Sequence, residues 1–259
     1  MPFTLAHPAA VLPLRRMRLM RTVPLIIGAM MPDVPYYLPW RIARYIPPVT
    51  HTLLGTFTFD LPVGLLVLLM IWLLRVPLAA PPGGRASAKC LAAIERFGNR
   101  PINWVLAPLS IVVGTWTHIA WDSFTHADGW MVSRVSALSA PVSFLGYTGE
   151  LCHVLQYVSS VFGLAVLAIW FALLPAPAQP VRSGDRSSGG PLLIVILLVL
   201  AVVAGGFETI EHLVRHTPPR YHIFYLLLTR STAWFALLYT LAGIVIVRGR
   251  RRAAAAATG

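Results

Sequence analysis

His118, Asp122 and His126 stand four residues apart in GTWTHIAWDSFTHADG, residues 114–129. On an α-helix each step of four turns the azimuth by only about 40°. The three side chains therefore follow one slowly turning stripe, with neighbours about 6 Å apart along the axis. Two such groups can grip one ion, as histidines at i and i+4 grip zinc. His118 and His126 are about 12 Å apart by the same rise, so one ion takes all three only if the helix ends or bends near Phe124. Otherwise His126 serves a second ion or a substrate. The preceding residues, Trp104 to Thr117, are almost wholly apolar and read as a membrane span. A charged group deep in a bilayer costs roughly 2.5–3.5 kcal/mol on insertion scales. An acid between two histidines at a span end therefore points to ligand chemistry more than to a helix end meeting water.

The elements that must position this stripe are membrane helices. Of 259 residues, 57% are hydrophobic and 12% charged, against roughly 25% charged in a soluble domain. The sequence predicts an all-α, polytopic membrane helix bundle. Five spans are expected, at residues 53–74, 104–124, 151–174, 191–207 and 224–247, because each approaches the ~20 apolar residues that cross a bilayer. They form one membrane domain over 1–259, with an N-terminal region at 1–52, core spans at 53–174, a flexible linker at 175–190, and the last two spans and a basic tail at 191–259. The net charge of +12 sits in loops and tails. It fits anionic lipid headgroups and membrane topology, and no nucleic-acid-binding motif is present. Two cysteines, Cys90 and Cys152, make neither a disulfide framework nor a thiolate zinc site.

The N-terminal region reads differently. Thr4 can cap a helix, Pro8 fits its first turn, and His7 would then sit at its exposed end. Residues 14–22 interleave arginines with Leu and Met, as in a basic helix at the headgroup level. The run VPLIIGAMMPDVPYYLPW, residues 23–40, is short and broken by Pro32, Pro35 and Pro39. Asp33 within it belongs at a helix end, either in a re-entrant turn, where a buried carboxylate needs a cation or histidine partner, or as an interfacial cap. Thr50-His51 immediately precedes the first clear span, which carries Asp60, a carboxylate that could neutralise an arginine or hold a metal ligand in position. Glu208, Glu211, His212 and His216 close a later span, and Glu150 and His153 read as interfacial polar residues.

The positive-inside rule assigns residues 75–101, the linker and the Arg248–Arg252 tail to the cytoplasm. His51, His126, Cys152 and the Glu208–His216 cluster then share the outer face, and Cys90 lies opposite Cys152. The rule leaves His7 undecided. If residues 23–40 cross, His7 is cytoplasmic; if they dip in or lie flat, it is outside.

MPFTLAHPAAVLPL, GAMMPDVPYYL, THTLLGTFTFDLPVGLL and GTWTHIAWDSFTH resemble a family of bacterial integral membrane proteins, the domain of unknown function 4184 type. That family resembles in turn inner-membrane proteins labelled metal-dependent hydrolases and, more weakly, zinc-dependent phospholipase C. The resemblance covers most of residues 1–130. It implies His7, Asp33, His51, His118, Asp122 and His126 as ligands of a divalent metal, with zinc expected ahead of manganese or iron, and it implies a re-entrant N-terminal segment. The expectation is a membrane-embedded, metal-dependent hydrolase-like protein of the bacterial cytoplasmic membrane. Its substrate would be a phosphate ester or lipid headgroup at the outer face, with the C-terminus in the cytoplasm. His126, Glu208 and Glu211 are the candidate catalytic bases. A transporter conducting ions or protons, or a non-catalytic membrane scaffold, is the alternative.

Overall fold

A computed structural model describes residues 3–43, 45–46, 49–144, 146–175, 190–215 and 220–256. His216 and residues 176–189 of the expected linker lie outside the described residues. The chain is mostly helical. Among the described residues four helices, not five, are long and apolar enough to cross a membrane: Leu53–Leu73, Leu151–Leu173, Pro191–Arg215 and Ile223–Ala256. They suggest a multi-pass membrane protein. The expected span at 104–124 is not among them. It is divided at Leu106, and its main part, Ala107–Thr125, buries Ser110, Thr115, His118, Asp122 and Thr125. Those polar residues lower its hydropathy and give it a protein-facing stripe.

Two compact units divide the chain. The first comprises residues 1–34, 46–70 and 97–174. Its centre is the close packing of the Thr22–Gly28 helix on the Ala107–Thr125 helix. A Cβ on Gly28 would strike the Ile111 carbonyl, and one on Gly114 would strike the Leu25 carbonyl. Glycine is what lets these backbones touch. Thr115 Oγ1 donates across the contact to the Gly28 carbonyl at 3.2 Å, and the Arg21 amide donates to Ser110 Oγ at 3.0 Å. Val11, Met20, Leu25 and Ala29 fill the adjoining apolar core.

The N-terminal residues form short turns in place of the expected basic helix: Thr4–Ala6, Pro8–Val11 and Leu14–Arg16, with extended backbone at Met17. Residues 22–37 are likewise broken into Thr22–Gly28, Met31–Asp33 and Val34–Tyr37. None of these pieces approaches the ~20 residues a crossing requires, and the prolines explain the interruptions. Residues 141–150, between the expected spans, contain a two-stranded antiparallel hairpin that pairs Val142 with Gly149 and Phe144 with Tyr147.

The second unit comprises residues 35–45, 71–96 and 175–259. Its main feature is an antiparallel pairing of the Pro191–Arg215 and Arg220–Ala256 helices, with Gly205 against the Ser231 backbone. Residues 75–101, assigned to the cytoplasm by charge, hold helices Arg75–Ala79 and Gly84–Gly98. Both cysteines are free.

Candidate metal centre

Three separate local structures deliver the first unit's acids and histidines to one place. Thr52 caps the Leu53–Gly55 turn by accepting the Gly55 amide at 3.0 Å, which fixes His51 just outside the helix. The Met31–Asp33 turn ends in Asp33. The Ala107–Thr125 helix supplies His118 and Asp122 on one face. Asp33 and His118 are fully buried, Asp122 nearly so, and His51 partly open.

One ligand atom from each of Asp33, His51, His118 and Asp122 lies within 4.8 Å of all the others. His51 Nε2 stands 3.3 Å from Asp33 Oδ1 and 3.5 Å from Asp122 Oδ2. His118 Nε2 stands 3.6 Å and 3.2 Å from the same two oxygens. Four donors placed tetrahedrally at ~2.0–2.1 Å from an ion are about 3.3–3.4 Å apart. These four separations thus fit the edges of a metal shell better than they fit ordinary hydrogen bonds. Asp33 Oδ1, His118 Nε2 and both Asp122 oxygens are buried without a hydrogen-bond partner. Such orphaned groups are costly and call for an explanation. A cation between them would satisfy all of them together.

The surroundings aim the donors. His118 Nδ1 donates to the Ala29 carbonyl at 2.8 Å, so its neutral form turns the bare Nε2 inward. That carbonyl is within reach because Gly28 and Gly114 bring the two helices together. Thr4 Oγ1 donates to Asp33 Oδ2 and leaves Oδ1 for the shared space. Thr50 Oγ1 lies 3.2 Å from His51 Nδ1. Thr4 was expected as a helix cap, and it makes no capping bond. The small-residue pairs Gly28-Ala29 and Gly114-Thr115 were the sequence signal for this close helix contact.

His7 is buried, contrary to the exposed position its spacing alone implied. Its ring stacks on His118 with centroids 3.8 Å apart, and its Nε2 lies 3.4 Å from Asp122 Oδ1. It stands beside the group of four, not within it. His126 follows the last helical residue with extended backbone. The helix ends where one ion for all three residues required it to end, yet His126 Nδ1 sits at the Asp122 carbonyl, 3.1 Å away, and 3.8 Å from Asp122 Oδ2. It borders the group and is partly open.

Charge follows this geometry. Burial disfavours a charged His51, but Asp122 and then Asp33 hold the imidazolium and raise its pKa to about 9. Burial, and next the neighbouring His118, lower the pKa of His7 to about 3. Burial opposes the Asp33 carboxylate, but His118 and His51 hold it below the ordinary range.

Asp60 ends a π-turn, Thr56–Asp60, within the Leu53–Leu73 helix. It is fully buried, neither oxygen has a hydrogen-bond partner, and it lies within electrostatic reach of His51, His118 and Asp33. Glu208 and Glu211 belong to the second unit. Glu208 accepts from Trp234 Nε1 at 3.1 Å and lies 3.8 Å from Arg230 Nε. Glu211 pairs with Arg215 at 2.7 Å on an exposed face. A separate group, Glu150, Cys152 and His153, also brings its donor atoms within 4.8 Å, with the Cys152 thiol donating to Glu150 at 3.4 Å.

Residues 1–247 match the family described as a domain of unknown function, DUF4184, and the chain belongs to it. No curated protein and no solved structure matches the chain.

Proposed function

We propose that this is a membrane-embedded, metal-dependent hydrolase-like protein acting on phosphate esters, including lipid headgroups. The observation that carries the reading is the group of Asp33, His51, His118 and Asp122, whose separations fit a metal shell and in which Asp33 Oδ1, His118 Nε2 and both Asp122 oxygens are buried without a hydrogen bond. Two imidazoles and two carboxylates suit zinc, manganese or iron better than a soft ion. A bound divalent ion supplies a water of lowered pKa and polarises the ester.

The chain's own residues do the rest. Asp33 and Asp122 balance the ion's charge, and His118 is held in one tautomer by Ala29. His51 and His126, 30% and 26% exposed at their side chains, form the open side from which substrate reaches the group. His7 sits against Asp122 and stacks on His118, where it holds both side chains in place. His126, at the open side, is the candidate base.

The test is metal content of the purified protein beside His118→Ala and Asp122→Ala, followed by phosphodiester hydrolysis. Stoichiometric zinc, manganese or iron in the wild type, lost in both variants, supports the reading. Metal-free, well-folded wild type after reconstitution sinks it. A second reading, a proton- or ion-conducting path, draws on Asp60, an unpartnered carboxylate inside a candidate span. Proton flux into vesicles, abolished by Asp60→Asn, would favour it.

A further inference from the structure

A cavity of about 210 Å³ opens on the other side of His7 from the metal group. One wall is Ala6, His7, Ala9 and Ala10 from the N-terminal turns. The other walls are Trp121, on the helix that carries His118 and Asp122, and Ser159, Phe162, Gly163 and Val166 on the Leu151–Leu173 helix. All of these residues belong to the first unit. Apart from His7, its polar side-chain groups are already engaged: Trp121 Nε1 donates to Ser159 Oγ at 3.3 Å, and Ser159 donates to the Gln156 carbonyl at 3.1 Å. What remains is methyl, methylene and ring surface.

Its place along the helix says what that surface meets. Ser159 to Val166 are central in a 23-residue candidate span, so the cavity runs about 10 Å along the part that crosses hydrocarbon. Phe162 at its edge is 69% exposed. Alanines and a glycine keep the floor open. A Cβ on Gly163 would stand 2.9 Å from the Ala6 carbonyl oxygen.

We propose that this cavity is an acyl-chain subsite, which holds the hydrocarbon tail of a bilayer lipid while its phosphate ester reaches the metal group past His7. The inference rests on the proposed function for the headgroup half and on the cavity alone for the tail half. One imidazole separates the two halves: His7 lines the cavity and also touches Asp122 and His118. A ligand spanning both must be apolar at one end and metal-binding at the other. A membrane phospholipid has that chemistry, and it can enter laterally beside Phe162 without leaving the bilayer. An inorganic phosphate or a soluble phosphodiester would leave the cavity empty.

The test uses the full-length protein in nanodiscs containing phosphatidylglycerol with a photoactivatable diazirine on one acyl chain. Labelled residues are mapped by mass spectrometry, and metal content is measured on the same samples. The wild type should be labelled at residues 6–10 and at Trp121. Ala9→Phe, which fills the cavity, should lower that labelling by at least about four-fold, the value of burying one methylene, and leave labelling of the exposed Val199 unchanged. If Ala9→Phe does not fold, Val166→Phe fills the cavity from the opposite wall. No label at residues 6–10 and Trp121, or label indifferent to the filled cavity, overturns the proposal. Labelled but metal-free protein sinks the metal reading and leaves the subsite standing.

Discussion

Two helices of this protein end in acids and histidines, and their ends are built differently. The Ala107–Thr125 helix closes with His118, Asp122 and then His126, and the Pro191–Arg215 helix with Glu208, Glu211 and His212. In the sequence they look alike. In the first, the carboxylate of Asp122 is buried and faces histidines at 3.2–3.4 Å without making a hydrogen bond. In the second, Glu208 meets an indole N–H and an arginine, and Glu211 pairs with Arg215 in the open. Residue type and spacing therefore do not separate a site from a helix end. Unmet polar demand does. A carboxylate that the protein already satisfies has little left for a ligand, whereas one buried among histidines without a hydrogen bond keeps acceptor capacity for a cation that fits.

That contrast can be broken most decisively by substitution. His118→Ala or Asp122→Ala should abolish metal binding and cost about 3–5 kcal/mol of stability, since each leaves buried partners uncompensated. Glu208→Gln and Glu211→Gln should keep full metal content and cost under about 1 kcal/mol each. Metal analysis and thermal unfolding of the four variants decide it, and loss of metal in the Glu variants would erase the distinction.

Chelation comes next in size. Stripping the ion from wild type should lower stability by roughly 2.7 kcal/mol if the free ion had stood at a hundred times its dissociation constant. The His118→Ala protein should not respond, which a melting curve with and without chelator reads directly. Gly114→Ala sharpens the comparison from the scaffold side. Its new methyl strikes the Leu25 carbonyl, so it should destabilise by about 1–3 kcal/mol and weaken metal binding by moving Ala29 from His118. Thr4→Val touches no ligand atom of the group, yet should reduce metal affinity about 10–100-fold by freeing Asp33 to rotate.

The smallest effect is on protons. His51 without metal has a pKa raised to about 9, above its ordinary 6.5. In the metal-free protein its charged form contributes stability that is complete below about pH 6.5 and lost as pH rises through about 9. At pH 7 a metal must displace that proton, so affinity should rise with pH towards 9. The binding enthalpy should also depend on the buffer's ionisation heat. An enthalpy indifferent to the buffer would remove His51 from the shell.

Much of the site was legible because helical spacing is local. His118 and Asp122 share a face by arithmetic, and Asp33 and His51 are marked by the prolines and the cap that stop helices beside them. His7 was not legible from spacing, because its burial comes from packing on a helix more than a hundred residues later. Thr4 was misread for the same reason: a hydroxyl near a helix start normally caps it, and here the tertiary contact with Asp33 wins. The span count failed where helix and lipid were conflated. A helix can be apolar enough to look like a span and still turn a polar stripe to protein. The π-turn at Thr56–Asp60 and the hairpin at 141–150 left no periodic signature to read.

The bond from His118 to the Ala29 carbonyl also sets a timetable. Its partners are 89 residues apart in the chain, which a ribosome synthesising ~5–20 residues per second takes about 4–18 s to cover. Throughout that interval the Ala29 carbonyl lacks the imidazole that it receives in the folded protein. The group of four can thus be complete only once residue 122 of 259 has been made, a little under half-way along the chain. A chain cut short before residue 118 would carry Asp33 and His51 without the helix that completes their group.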